Sequence, residues 1–237
     1  MIRNIISIVF IYFVTQSATY SQQQDWLSKG NENAKKGEFK NAIKNYNEAI
    51  KENPNNSDAY FFRGNAKLEQ EDFKGAIDDF TKCIGLDKAY IHAYYNRGNA
   101  FYEIKNFKSS IEDLSKVIAM DSSYFDAYFD LGNCYYKQEN FNEAIRYLTK
   151  GLNLKPNNNN GYYDRANAYF KADRFTEAVE DYTKAISLSP NESDYYFNRS
   201  IAYFNLEMNT EGCTDLNKAV ELGDDEAKEY VGEFCAE

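Results

Sequence analysis

Cysteine and histidine are the side chains of this sequence that could support covalent or metal chemistry, and they are few. The four cysteines show neither Cys-x-x-Cys spacing nor another metal-ligand pattern. The single histidine, His92, cannot build a zinc site that needs several imidazoles, and no serine or cysteine nucleophile is evidently paired with it. With no phosphate-binding loop or ligand cluster, the sequence predicts a protein without catalytic activity, cofactor or metal.

A second kind of chemistry, hydrogen bonding to another polypeptide, is indicated by asparagines that recur every 34 residues. Each amide offers donors and an acceptor together, which suits the backbone of an extended peptide. The row consists of Asn31, Asn65, Asn99, Asn133 and Asn167.

The same period of 34 residues runs through other residue types. These further ladders are Tyr60, Tyr94, Tyr128, Tyr162 and Tyr196, preceded by Trp26; Phe39, Phe73, Phe107, Phe141 and Phe175; and Pro54, Pro156 and Pro190. So many ladders in phase identify internal repeats.

The spacing of residues within each repeat predicts two helices. Residues from Tyr162 to Tyr169 follow the i, i+3, i+4, i+7 spacing of one helical face, and residues from Ala178 to Ile186 form a second such face. Pro190 then ends the second helix, because proline cannot continue it.

The two-helix unit, with its aromatic, small, aromatic and proline positions, resembles the tetratricopeptide repeat. The resemblance implies an all-α, right-handed solenoid of six helix-turn-helix repeats over residues 22–222, followed by a capping helix over residues 224–237. The repeats begin at Gln23, Ser57, Ile91, Phe125, Asn159 and Ser193. Departures are modest: Lys88 and Ser122 replace the proline, and Asn209 replaces the phenylalanine of the sixth repeat.

The resemblance also places the first helix of every repeat on a concave wall. The peptide-binding groove that it implies consists of Asn31, Phe61, Asn65, His92, Tyr95, Asn99, Asp126, Phe129, Asn133, Tyr163, Asn167 and Phe197. The alternative is that the asparagines join neighbouring repeats and the aromatic side chains pack against the next repeat.

The charge of the chain limits the kinds of molecule that it can bind. Lys and Arg number 27 against 37 Asp and Glu, a net charge of −10, which argues against a general nucleic-acid binder. The groove positions are neutral to acidic, so we expect a neutral or basic extended peptide or protein, and no small-molecule substrate. Relatives that clamp a terminal carboxylate use lysine and arginine at such places, and this chain has none there.

Four arginines form one more ladder at a place where the family uses leucine, and we expect their aliphatic stems to pack between helices. They are Arg63, Arg97, Arg165 and Arg199.

The first 21 residues have the order of a secretory signal peptide. Arg3 precedes an apolar run from Ile5 to Val14, and small residues follow before the chain turns polar at Gln22. The apolar run is about half the ~20 residues that a membrane-spanning helix needs, although an N-terminal anchor is the alternative. We therefore expect an exported protein, periplasmic or secreted, cleaved after Ser21 or Ala18.

The cysteines fall into two groups. Cys83 and Cys134 stand where other repeats have alanine, so they are expected to be small core residues. Cys213 and Cys235 flank the turn at Gly223 at nearly equal distances, in helices that should pack antiparallel. In an oxidising compartment they could form a disulfide that holds the capping helix; the alternative is two buried free thiols.

These observations predict a non-catalytic protein-interaction scaffold that binds a peptide segment of a partner in its concave groove. The alternative is a structural or assembly component of a cell-envelope complex that uses its outer face or its edges.

Overall fold

The structure, a computed structural model, describes residues 26–235. The predicted signal peptide lies outside these residues.

Thirteen helices and no strands make up the described part of the chain. They are α1 (26–35), α2 (Phe39–Glu52), α3 (Ser57–Leu68), α4 (Phe73–Leu86), α5 (Ile91–Glu103), α6 (Phe107–Met120), α7 (Phe125–Lys137), α8 (Phe141–Leu154), α9 (Asn159–Lys171), α10 (Phe175–Leu188), α11 (Ser193–Asn205), α12 (Asn209–Glu221) and α13 (Asp225–Phe234). The expected all-α fold of paired helices is confirmed. In addition, α3, α5, α7, α9 and α11 start at the residues where the sequence analysis placed the second to sixth repeats.

The chain divides into two compact units, one ending at Asp113 and the other beginning at Leu114. In the first unit α2 packs on α3, α3 on α4 and α4 on α5; in the second, each helix from α7 to α13 packs on the next. First helices of successive repeats also touch, since α3 contacts α5, α7 contacts α9, and α9 contacts α11. Contacts between neighbours in sequence are typical of a solenoid.

Small residues let the two helices of a repeat approach closely. A Cβ atom added at Gly64 would lie 2.7 Å from the Phe80 ring, and one added at Gly132 would lie 2.6 Å from Leu148. Phe80 and Leu148 are themselves fully buried. The core of these two repeats therefore forms where a bulky side chain of the second helix meets a small residue of the first.

The turn between the two helices of a repeat uses one left-handed residue. The φ angle is 75° at Gly37 and lies between 57° and 60° at the equivalent places, which are Glu71, Lys105, Glu139, Asp173 and Glu207. Only the first of these six turns has the residue type that adopts this conformation without steric cost.

Helix α13 covers the end of the second unit. Asp224 caps its N-terminus by accepting a hydrogen bond of 3.0 Å from the Ala227 amide, and Ala227 is fully buried. Phe234 stands in the register of the small residues such as Gly132, so α13 has no space there for a partner helix of its own.

The cysteines occupy two environments. Cys213 of α12 and Cys235 after α13 form a disulfide, with their Cα atoms 5.7 Å apart. Cys83 and Cys134 form no disulfide and are fully buried, as expected for core residues. Burial, with the charges of Asp58 and Asp87, raises the pKa of the Cys83 thiol to about 12, so it stays protonated.

No helix within residues 26–235 is both long enough and apolar enough to cross a membrane.

Candidate functional site

The arginine ladder forms ion pairs in addition to the expected packing of its aliphatic stems. In the fifth repeat Arg165 of α9 donates from Nε to Asp181 Oδ2 at 2.6 Å and from Nη2 to Asp181 Oδ1 at 2.8 Å. Its third nitrogen, Nη1, donates to Thr149 Oγ1 of the preceding repeat at 3.0 Å. Each such arginine therefore joins the two helices of its own repeat and reaches back to the repeat before.

Three more arginines make the same pair with the aspartate 16 residues later, and the four pairs are Arg63–Asp79, Arg97–Asp113, Arg165–Asp181 and Arg199–Asp215. All four aspartates are buried, and an unpaired carboxylate would be costly there. The signal was available in the sequence, because the aspartates also recur every 34 residues.

The fourth repeat replaces both members of the pair. Leu131 stands in the place of the arginine and is fully buried, while Tyr147 stands in the place of the aspartate. The Tyr147 ring stacks on Tyr135 with 5.3 Å between the ring centroids. The paired replacement leaves no lone buried charge.

Two asparagines of the predicted groove bond within their own repeat. Tyr46 donates its hydroxyl to Asn31 Oδ1 at 2.8 Å, and Tyr182 donates to Asn167 Oδ1 at 2.6 Å. Each of these tyrosines is about 1% exposed, so the second helix of the repeat fixes an asparagine of the first.

Two other asparagines bond to the next repeat. Asn65 Oδ1 accepts from Asn96 Nδ2 at 2.7 Å, while Asn133 Nδ2 donates to Asp164 Oδ2 at 3.2 Å. Burial raises the pKa of Asp164, although the hydrogen bond from Asn133 and the charge of Lys137 act in the opposite direction. These two contacts match the alternative that asparagines join neighbouring repeats. Asn99, the fifth member, is half-buried.

Three of the predicted groove aromatics pack against an aromatic side chain that lies further along the chain. The ring centroids are 4.8 Å apart for Phe61 and Tyr90, 4.8 Å for Tyr163 and Tyr195, and 5.1 Å for Phe197 and Tyr230. Phe61, Tyr95, Tyr163 and Phe197 are all half-buried. The Tyr163–Tyr195 contact joins two successive repeats, and the Phe197–Tyr230 contact joins the last repeat to α13.

Phe129 differs from this group. It is 7% exposed and belongs to the core of the second unit. Its ring fills space beside two glycines, because a Cβ atom at Gly161 would lie 2.4 Å from it and one at Gly151 would lie 2.9 Å from it. A groove position was expected for Phe129, but its ring lies in the core.

The two polar groove residues at helix starts are exposed. His92 is the second residue of α5 and Asp126 the second residue of α7. They lie in different units, so each is a feature of its own repeat.

A cleft in the first unit brings two of the predicted residues together. It has a volume of about 420 Å³ and lies between α1, α2 and α3. Its apolar lining consists of Ala34, Phe39, Tyr46, Phe62 and Ala66. Asn31 and Asn65 also line it, with one charged residue of each sign, Lys35 and Glu69.

Within residues 26–235, no three acidic, cysteine or histidine side chains lie close enough together to hold a metal ion.

Comparison with family models gives matches along most of the chain. Models described as tetratricopeptide repeat match residues 125–158, 160–192 and 57–90, and one described as TPR repeat matches residues 30–70 and 98–139. A comparison with curated proteins gives no match.

Solved structures share the fold. A crystal structure of MamA protein is 28% identical over 73% of this chain and 94% of its own, with a TM-score of 0.68. YrrB, described as a TPR protein with an unusual peptide-binding site, is 20% identical over 79% of this chain and 97% of its own, with a TM-score of 0.69. The C-terminal part of a TPR repeat-containing protein from Cytophaga hutchinsonii is 20% identical over 88% of this chain and 87% of its own, with a TM-score of 0.77. The repeat ladders, the paired helices and the matches to the family models agree, and the chain belongs to the tetratricopeptide repeat family.

Proposed function

We propose that this protein-interaction scaffold binds an extended peptide segment of a partner protein on the face formed by its first helices. The observation that carries the proposal is the cleft of the first unit, which Asn31 and Asn65 line together with apolar side chains. A volume of about 420 Å³ lies within the ~300–1,000 Å³ of typical ligand pockets.

The lining of the cleft fits a peptide segment. Apolar groups such as Phe39 and Phe62 suit one bulky side chain, and the two amides suit the polar backbone on either side of it. The described peptide-binding site of YrrB, a protein of the same fold, supports the same kind of ligand.

A neutral or basic segment is the partner that the charges favour. In the first unit Asp58 is exposed at the start of α3, and the whole chain carries a net charge of −10. This negative charge would repel an acidic segment and attract a basic one. On this proposal the protein has no catalytic role.

We further propose that the protein acts outside the cytoplasm after residues 1–21 are removed. The signal-like order of those residues supports this, and so does the Cys213–Cys235 disulfide, since such bonds persist in oxidising compartments. N-terminal sequencing of protein made in a secreting host should find a start at Gln22 or Thr19. Intact Met1 in the membrane fraction would overturn this part of the proposal.

Peptide selection tests the binding function. A random-peptide display library panned against the purified protein supplies binders, and fluorescence polarisation measures their affinity. Replacing Asn31 and Asn65 together by alanine should weaken binding by about tenfold or more, since two hydrogen bonds are lost. Asn41→Ala is the matched control, because Asn41 is exposed on α2 and outside the cleft.

Circular dichroism must show unchanged helicity in all variants. If the cleft variant binds every selected peptide as the wild type does, the groove is not the binding site. Assembly through the outer face would then be the better account.

A further inference from the structure

The two asparagines of the cleft bond to different partners, and each accepts a hydrogen bond through its amide oxygen. Tyr46 donates to Asn31 Oδ1 at 2.8 Å, and Asn96 donates to Asn65 Oδ1 at 2.7 Å. In both side chains the amide oxygen is engaged by the protein, and the Nδ2 group carries two further N–H donors.

We infer that the cleft is a donor site, in which Asn31 and Asn65 give N–H groups to main-chain carbonyl oxygens of a bound segment, with Tyr46 and Asn96 as positioning residues. The inference rests on the proposed function and adds to it the direction of the hydrogen bonds, in which the asparagines donate and the peptide accepts. The ligand class is a neutral or basic extended segment that supplies carbonyl acceptors on both sides of one apolar side chain.

Tyr46 is well suited to hold Asn31 in this orientation. It is 1% exposed, and burial raises the pKa of its phenol to about 12, so the hydroxyl keeps its proton at neutral pH. Its ring packs against Phe62 with 6.2 Å between centroids, which fixes the hydroxyl. The same arrangement recurs in the second unit, where Tyr182 donates to Asn167 at 2.6 Å.

Not every asparagine of the row accepts a hydrogen bond from the protein in this way. Asn133 donates its Nδ2 group to Asp164, which stands in the register that Asn96 has in an earlier repeat. The amide at Asn133 is therefore turned the other way, because its neighbour is an acceptor and not a donor. At Asn65 and Asn133, one residue of the next repeat thus sets which group the asparagine can offer.

Asparagine-to-aspartate variants test the inference, because aspartate keeps the oxygen that Tyr46 or Asn96 bonds and replaces the donor group by an anionic oxygen. With a peptide from the display selection as the probe, Asn31→Asp and Asn65→Asp should each weaken binding by about tenfold or more. Asn41→Asp introduces the same charge outside the cleft and should stay within about twofold of the wild type.

Tyr46→Phe tests the positioning role separately. Loss of the hydroxyl frees Asn31 to rotate, so affinity should fall about fivefold, while Tyr182→Phe removes the equivalent bond in the second unit and should leave affinity within about twofold. In the peptide, a thioamide at the recognised carbonyl should weaken binding to the wild type but not to Asn65→Asp. That result would separate main-chain recognition from recognition of a side-chain oxygen.

The outcomes separate the two claims. Alanine at Asn31 and Asn65 could weaken binding while both aspartate variants bind as tightly as the wild type. In that case the asparagines do not act as donors, but the cleft is still the binding site. If no selected peptide responds to any cleft variant, the proposed function fails and the inference fails with it.

Discussion

The guanidinium of Arg165 and the carboxylate of Asp181 form a two-point ion pair between the helices of one repeat, with N–O distances of 2.6 and 2.8 Å. The side chains are 16% and 9% exposed, so both charges are largely removed from water. Burial alone would lower the pKa of Arg165, but the hydrogen bond and charge of Asp181 raise it above its usual value. The Arg165 guanidinium therefore keeps its positive charge in spite of burial.

Removing one member of this pair should lower the free energy of unfolding much more than replacing both members. Arg165→Leu leaves Asp181 buried without a partner and should lower the free energy of unfolding by about 3 kcal/mol. The double variant Arg165→Leu with Asp181→Tyr reproduces the Leu131–Tyr147 combination of the fourth repeat and should recover most of the loss. Urea unfolding followed by circular dichroism measures both, and equal losses in the single and double variants would contradict the account.

Asp164 should make stability fall as pH rises. Burial raises its pKa in the folded state, so the folded protein holds this proton more tightly than the unfolded chain does. The contribution to stability is present at pH values below the unfolded pKa of Asp164 and is lost as pH rises through the raised folded value.

Asp164→Asn should therefore raise the urea midpoint at neutral pH and have little effect below the unfolded pKa. The asparagine can still accept the bond from Asn133, as Asn65 accepts from Asn96 in the first unit. Asp126→Asn is the matched control, since Asp126 is exposed. A midpoint for Asp164→Asn that is no higher than the control at neutral pH would count against this assignment.

The disulfide should stabilise α13 more than any other element. It closes a loop of 22 residues, and replacing both Cys213 and Cys235 by serine should reduce the free energy of unfolding by ~3 kcal/mol. Hydrogen exchange should accelerate first over residues 225–235. Alkylation of the denatured, unreduced protein should label only Cys83 and Cys134, and labelling of all four cysteines would rule the bond out.

The left-handed turn residues offer a way to stabilise the protein. Glu139 has a φ of 59° and is exposed, so Glu139→Gly should add about 1 kcal/mol to the free energy of unfolding by removing the steric cost of a side chain there. Gln138→Gly is the control, because its φ is −90° and glycine gains nothing there. Thermal unfolding compares the two, and a Glu139→Gly protein that melts no higher than the control contradicts the prediction.

The fold could be predicted from the sequence because it depends on spacing. Residues 34 apart occupy equivalent places, so Tyr162 and Pro190 were enough to locate the helices of a repeat. The Arg165–Asp181 pair was within reach for the same reason, since both ladders are visible and lie 16 residues apart.

The spacing of residues in the sequence could not predict the details of the site. The direction of the Asn31 amide depends on Tyr46 in another helix, and that of Asn65 depends on Asn96 in the next repeat. Phe129 lies in the core because two glycines, Gly151 and Gly161, open a space that its ring fills, and the groove register does not show that space. Such outcomes are set by three-dimensional neighbours that a single repeat does not reveal.

Photo-crosslinking tests the central claim, that the cleft of the first unit binds a peptide. A benzophenone amino acid is placed at position 35, where exposed Lys35 lines the cleft, or at position 48, where exposed Glu48 lies on α2 away from it. A labelled peptide from the display selection should crosslink to the protein from position 35 and not from position 48. Crosslinking from position 48 alone, or equally from both positions, would contradict the account.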